Sequence, residues 1–425
     1  MPLGIYISVP FCRTKCSYCN FASGVFSRAL WERYVDRVCV DIENATQLAL
    51  EMGGHMERAV DSIYLGGGTP TVLDAAQLER IFGAVRRQFQ VSPEAEITVE
   101  CAPGTLACAT LESLLRCGVN RVSLGVQSFV DQEAAAVGRL HKRATVLEDI
   151  ARLQAAGIKN FNIDLIAGLP HQTVGSWEFS LAETVATGAP HVSVYMLEVD
   201  EDSRLGREVL AGGTRYHAHF VPDEEATADF YLAACQQLQS AGIAQYEISN
   251  FAREGFESQH NLKYWTRQPY FGFGVDAHSM LPAVREGHDP SAALRASFSR
   301  ADQEHKREQG FSPSTHDSEA VRFAAADSIE PYMNAAAIKR TAVSRRAALE
   351  ESFFLGLRLT RDVSLQELSL KFGEDSVEYA RVAIAELVEG GLMERAGDFV
   401  HLTARGRLLS NEVFERFILA DGVAR

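Results

Sequence analysis

Six short β-branched runs, at 4–9, 61–66, 96–100, 120–126, 160–166 and 191–197, alternate with helical stretches through the first half of the chain. No other feature restricts the fold so strongly. In 74–89 the apolar residues Leu78, Ile81, Phe82, Val85 and Phe89 recur at helical spacing, and in 144–156 Leu147, Ile150 and Leu153 do the same before Gly157 stops the pattern. Strand, helix, strand repeated six times predicts a parallel sheet. The runs look continuously apolar, as in a sheet buried on both faces. The expectation is therefore an α/β chain with a partial (β/α)6 barrel.

Polar residues fall at regular places in this pattern. Cys12, Cys16 and Cys19 follow the first run, Gly66-Gly-Gly-Thr-Pro70 the second, Glu100 the third and Gln127 the fourth, while Asp164 lies in the fifth. In a β/α barrel the C-terminal strand ends open on one face, where the active site is built. Residues spread along the sequence should then meet in one mouth.

The cysteines form a C-x3-C-x2-C run, Cys12-Arg-Thr-Lys-Cys-Ser-Tyr-Cys19. Three thiolates can hold three irons of a 4Fe–4S cluster and leave the fourth iron open to a small molecule. Structural zinc normally takes four protein ligands, and no further Cys or His lies in the next dozen residues. An amine and a carboxylate on one molecule, as in the methionine part of S-adenosylmethionine, suit an open iron. Gly67 and Gly68 permit close backbone approach beside Thr69, with amide and carbonyl groups able to hold an amino-acid head. Glu100 and Asp164 can accept from ribose hydroxyls or an amine, Gln127 can donate and accept, and Arg139 can fork onto a carboxylate. Tyr6 and Tyr18 can pack on the ligand or shield the cluster. Cys39, Cys101, Cys108, Cys117 and Cys235 show no framework spacing, which fits free thiols in a reducing cytoplasm.

A helical stretch at 224–241 leads to His260-Asn-Leu-Lys-Tyr-Trp265 and then to the glycine-spaced run Phe271–Ser279. Residues 283–320 are polar and read as a linker or surface insertion, with order returning near 346, so the expected division is 1–282, 283–345 and 346–425. Helices at Leu365–Phe372 and Val377–Val388, a hairpin over Leu392–Leu402 and a last helix capped by Thr403 suggest a small winged-helix-like module. That module holds ten Lys/Arg against fourteen Asp/Glu, and the whole chain has a net charge of −15. This balance argues against a nucleic-acid or anionic-membrane binder. No apolar run reaches the length of a membrane span.

The cysteine loop, Gly66–Pro70 and Asp164-Leu-Ile-Ala-Gly-Leu-Pro170 resemble the radical-SAM superfamily. Within it they resemble the branch of oxygen-independent coproporphyrinogen III oxidases and HemW-type haem chaperones, over nearly the whole chain. The resemblance implies a 4Fe–4S cluster on Cys12, Cys16 and Cys19. It also implies S-adenosylmethionine contacts from Tyr6, Gly67, Gly68, Thr69, Glu100, Gln127, Arg139 and Asp164. The oxidases usually carry another cysteine two places after the third ligand, where this chain has Phe21, and a long segment before the cluster, where this chain has eleven residues. On both points it resembles the chaperones, as it does in the signature His260, Asn261, Tyr264 and Trp265, residues able to stack on and ligate a porphyrin. The implied activity is carriage of haem to haem-requiring membrane enzymes of respiration. The alternatives are oxidative decarboxylation of coproporphyrinogen III and a cluster-sensing DNA regulator. No catalytic residue is assigned. The iron ligand is expected at His260, His278 or the His217/His219 pair, in that order, with His288, His305 and His316 solvated.

Overall fold

A computed structural model of the protein describes residues 1–284 and 318–418. The six expected strands are present: β1 (Leu3–Val9), β2 (Ala59–Gly67), β3 (Gln90–Cys101), β4 (Arg121–Gln127), β5 (Asn160–Ala167) and β6 (His191–Met196). They pair in parallel in chain order, each to the next. Helices return the chain between them, among them Ala75–Gln88, Arg143–Ala155 and Val174–Ala186. Local chemistry sets where these start. Asp74 accepts from the Gln77 amide while the Gln77 side chain reaches back to Asp74, and Thr173 and Ser176 form the same box.

The strands do not have two apolar faces. In the middle and C-terminal parts of β1 to β3 one set of alternate positions, with Ile5, Ile7, Ile63, Leu65, Ile97 and Val99, is apolar, buried and part of the core shared with the helices. The other set is polar, and the register aligns it in rows. Tyr6 pairs with Tyr64, Tyr64 with Thr98 and Thr98 with Arg121; Glu100 pairs with Ser123, Ser123 with Asn162 and Asn162 with His191. The period of two was hidden in the sequence because Tyr, Thr and Ser sit between β-branched residues without breaking an apparent apolar run. The inward face is thus a polar wall, and the apolar core lies outside it, under the helices.

The sheet is larger than the six-stranded unit. Beside β1 lie β9 (Tyr270–Phe273), parallel to it, then β10 (His278–Pro282), β11 (Ser318–Ala324) and β12 (Lys339–Ser344), each antiparallel to its predecessor. Beyond β6 lie β8 (Asn250–Ala252) and β7 (Ala244–Gln245), also antiparallel. The result is an open mixed sheet of twelve strands among the described residues, not a closed barrel. Order resumes well before 346, since β11 and β12 belong to this sheet. Most of the stretch read as a linker, including His288, His305 and His316, lies outside the described residues.

The C-terminal module has the helix–strand–helix–helix–hairpin order of a winged helix. Helix Arg345–Arg358 is followed by β13 (Val363–Ser364), helices Leu365–Phe372 and Glu374–Glu389, and the hairpin β14 (Met393–Ala396) and β15 (Phe399–Leu402). Thr403 caps the next helix as expected, but that helix stops at Leu408 and a second runs Ser410–Glu415. Its core stacks Phe353 on Phe417 at 4.9 Å and includes Met280, Ala320 and Val343 of the large sheet. Glu351 bridges Arg267 at 2.8 Å and Arg322 at 2.6 Å, fixing the module to the sheet edge.

Candidate functional site

Phe11 anchors the cysteine loop. It is fully buried, stacked on Trp31 at 5.3 Å and set edge-on to Tyr34 at 5.1 Å. The next residue is tied down by the Cys12 amide donating to Gly24 O at 2.8 Å, and further along the Ser17 amide donates to Val137 O at 3.0 Å. A rigid start and a pinned middle hold the thiols at the C-terminal end of β1.

The second strand end fits tightly beneath this loop. Gly68 donates to Val9 O at 2.9 Å and Thr69 to Phe11 O at 2.8 Å. A Cβ on Gly68 would meet Val9 O at 2.7 Å and the Phe11 backbone at 2.8 Å, so only glycine allows this approach. Gly67 has φ +98° and donates to Glu100 at 3.1 Å. The amides of Gly67, Gly68 and Thr69 therefore all donate inside the protein.

Each sulfur has a polar neighbour. Thr69 Oγ1 lies 3.9 Å from Cys12 Sγ, Arg139 Nη1 3.6 Å from Cys16 Sγ and Ser23 Oγ 3.8 Å from Cys19 Sγ. Donors of this kind stabilise thiolates. Burial pushes the Cys12 thiol up, so loading metal there releases a proton. Tyr18 is half-buried within the loop, and burial, followed by the nearby Cys16, raises its phenol.

Glu100 and Asp164 face the mouth from β3 and β5. Glu100 accepts from Tyr64 at 3.0 Å, and burial, then the charge of Asp164, pushes its carboxyl up to about 7. Asp164 accepts from Ser123 at 3.1 Å and Asn162 at 2.7 Å, and burial raises it too. Two carboxyls raised by burial, with no cationic side chain bonded to either among the described residues, suit a cationic ligand with hydroxyl and amine donors.

Gln127 sits where the β4–β5 register shifts, with φ +69°; such irregularities redirect side chains at strand ends. Its Oε1 is buried without a partner among the described residues, as is Nε of Arg139, whose Nη2 donates to Gly125 O. Buried polar atoms are normally satisfied. Two orphans beside three thiols and two uncompensated carboxyls fit a 4Fe–4S cluster with S-adenosylmethionine on its open iron. Sequence reasoning missed Tyr64, Ser123 and Asn162, the residues that hold those carboxylates. Their signal was polar character at alternate strand positions.

The His260–Trp265 signature lies elsewhere. Helix Gln259–Trp265 packs on the polar wall near the N-terminal strand ends, with Glu96 accepting from the amides of Gln259 and His260 at 3.1 Å. His260 approaches Gly4, about 17 Å along β1 from Val9 at roughly 3.3 Å per residue. His260 is 1% exposed, with Nδ1 at 3.0 Å from Ser62 Oγ and Nε2 at 2.8 Å from Tyr264 OH. Burial, then Lys263 and Arg121, lowers its pKa to about 3. In this structure both ring nitrogens are engaged by hydroxyls, those of Ser62 and Tyr264. Trp265 lies under the Arg358 guanidinium at 4.3 Å, and the Asn261 amide caps onto Ser258. Of the other candidates, His278 is exposed beside Asp276 at 3.7 Å, whereas His217 contacts His171 at 3.1 Å.

Comparison with known proteins agrees with this geometry. Residues 6–182 match the Radical SAM superfamily and 343–409 the HemN C-terminal domain. The chain is 32% identical over 414 residues to the heme chaperone HemW of Bacillus subtilis, covering 97% of this chain and 98% of that one. It is 33% identical over 281 residues to the Escherichia coli heme chaperone HemW, covering 66% of this chain and 70% of that one. Among solved structures, coproporphyrinogen III oxidase (HemN) from Escherichia coli superposes with TM-score 0.76 at 22% identity, over 98% of this chain and 90% of that one, a likeness of fold. Among the described residues no helix is long and apolar enough to cross a membrane. With a thiol loop, a two-carboxylate mouth and end-to-end similarity all in agreement, the chain belongs to the HemW family of radical-SAM proteins.

Proposed function

We propose that this chain is a cytoplasmic haem carrier that binds a 4Fe–4S cluster on Cys12, Cys16 and Cys19 and S-adenosylmethionine beside it, and passes haem to haem-requiring membrane enzymes of respiration. Residues 1–282 form the core together with the edge strands within 318–344, and 346–425 form a packing or partner module. The similarity to proteins named heme chaperones across 97% of the chain supports this reading.

The observation that carries the cofactor part is the mouth itself: three thiols with a donor beside each, next to two raised carboxyls without a cation. When bound, the cluster supplies an electron able to cleave a sulfonium to a 5′-deoxyadenosyl radical. The chain's own residues orient the ligand. Glu100 and Asp164 take its amine and ribose hydroxyls, Gln127 Oε1 accepts a further donor, and Arg139 Nε donates to the carboxylate. Tyr6, in register with Tyr64 on the polar wall, and Tyr18 in the loop close the sides.

Anaerobic reconstitution, followed by parallel assays with haemin and with coproporphyrinogen III plus S-adenosylmethionine and a reductant, tests the function. Stoichiometric haem binding without tetrapyrrole turnover is the expected result. Formation of protoporphyrinogen overturns it in favour of an oxidase.

A further inference from the structure

A second cluster of side chains lies next to the cysteine loop, around His171 and the Arg215–Phe220 segment. After β5 the chain turns at Gly168-Leu-Pro170, and the Gln172 amide locks the turn. Its Oε1 accepts from Gly168 N at 2.6 Å and its Nε2 donates to Ile166 O at 3.2 Å. This fixes His171, whose amide donates to Phe220 O at 3.0 Å and so ties the turn to the Arg215–Phe220 segment.

The two histidines meet there. His171 Nε2 is 3.1 Å from His217 Nδ1, with the rings edge-to-face at 5.0 Å. One nitrogen donates and the other accepts. With the proton on His217 Nδ1, His217 Nε2 presents a lone pair from an exposed ring. An imidazole anchored at one nitrogen and open at the other is the arrangement of a metal-binding histidine with its outer partner. His171, Tyr216 and His217 have φ of +70°, +56° and +61°, three of the seven non-glycine residues in the left-handed region among those described. Such conformations cluster at ligand sites.

The surroundings suit a flat, apolar dianion. Phe220 is 46% exposed, with its ring 4.1 Å from His171 and 4.0 Å from His219. The guanidiniums of Arg204 and Arg215 flank the Tyr216 ring at 5.4 and 5.5 Å, and neither forms a salt bridge among the described residues. Guanidinium groups are the usual partners of carboxylates. The ledge adjoins the cluster loop: Leu205 N donates to Ser17 O at 2.8 Å, Arg204 donates to Lys15 O, and Tyr18 packs in the same apolar group as Tyr216.

Resting on the haem-carrier reading, we propose that haem docks on this ledge, with His217 Nε2 as the axial iron ligand, His171 as its positioning partner, Phe220 under the macrocycle and Arg204 and Arg215 on the propionates. The metal-ligand site is then at the cluster end of the sheet rather than at the His260 helix.

Haemin titration of the full-length reconstituted protein tests it, read by Soret difference spectra and by low-temperature EPR of the ferric iron. Wild type gives a histidine-ligated spectrum. His217→Ala and His217→Gln keep cluster absorbance but lose that spectrum and at least tenfold in affinity, and exogenous imidazole restores the ligand signature to His217→Ala. His171→Ala keeps ligation but shifts the EPR g-values, which a merely structural residue would not do. Arg204→Ala with Arg215→Ala weakens haemin more than a haem diester. If wild type binds haemin with a histidine spectrum and both His217 variants retain it unchanged, the ledge is wrong while the carrier reading stands. If wild type binds no haemin, the carrier reading itself fails.

Discussion

Replacing His260 by glutamine measures how firmly the signature helix is built into the floor. In the fold the ring is buried between Ser62 and Tyr264, with its pKa lowered to about 3 from an unfolded value of 6.5. A base whose folded pKa is depressed stabilises the fold fully above its unfolded pKa, and that contribution is lost as pH falls toward the folded value. At pH 8 neither state carries a proton on this ring. At pH 5 the unfolded ring is charged and the folded ring is not, which costs wild type about 1.5 pH units at ~1.4 kcal/mol each, or about 2 kcal/mol. His260→Gln removes that proton and also loses buried hydrogen bonds, about 1–3 kcal/mol at pH 8. His141 and His191, which are also lowered chiefly by burial, titrate in both proteins and cancel in the difference. Anaerobic urea unfolding followed by tryptophan fluorescence at pH 8 and pH 5 should show the gap between wild type and variant narrowing by about 2 kcal/mol. A gap independent of pH refutes the buried, neutral ring.

Three further outcomes follow from the geometry. Glu100 has its carboxyl at about 7, so ionisation falls roughly tenfold from pH 8 to pH 6, and affinity for the cationic S-adenosylmethionine should drop by about that factor in calorimetry, while Glu100→Gln binds weakly and loses most of that pH dependence. Gly68→Ala drives a Cβ into Val9 O and the Phe11 backbone and should lower iron loading by elemental analysis, whereas Gly175→Ala, with nothing within 4 Å in the helix Val174–Ala186, leaves loading intact and gains up to about 1 kcal/mol in thermal unfolding. Glu351→Ala strands the Arg267 guanidinium, 8% exposed, and should cost about 3–5 kcal/mol in unfolding of the C-terminal module.

The parts of the fold that were legible in the sequence are those governed by local chemistry. The six strands, the helices at 75–88 and 143–155 and the hairpin at 393–402 follow from periodicity and turn residues close in sequence. The antiparallel edge strands β10, β11 and β12 were not legible, because long-range pairing across residues 282 to 318 leaves no local mark. At the site, the cysteines, Gly68, Glu100 and Asp164 announce themselves as chemistry at strand ends. The surroundings of His260 were not legible, because a polar, aromatic signature looks the same whether it faces a ligand or packs on a sheet, and its contact with Ser62 spans 198 residues. His171 and His217 are 46 residues apart, and nothing in either stretch alone foretells their contact.

Adding S-adenosylmethionine to the reduced, anaerobically reconstituted protein while recording the EPR spectrum of the cluster addresses the open iron itself. The geometry at Cys12, Cys16 and Cys19 predicts a 4Fe–4S signal whose g-values move on addition of the nucleotide, together with one iron site distinct from the other three by Mössbauer spectroscopy. A signal indifferent to S-adenosylmethionine, or stoichiometric zinc in place of iron, contradicts it.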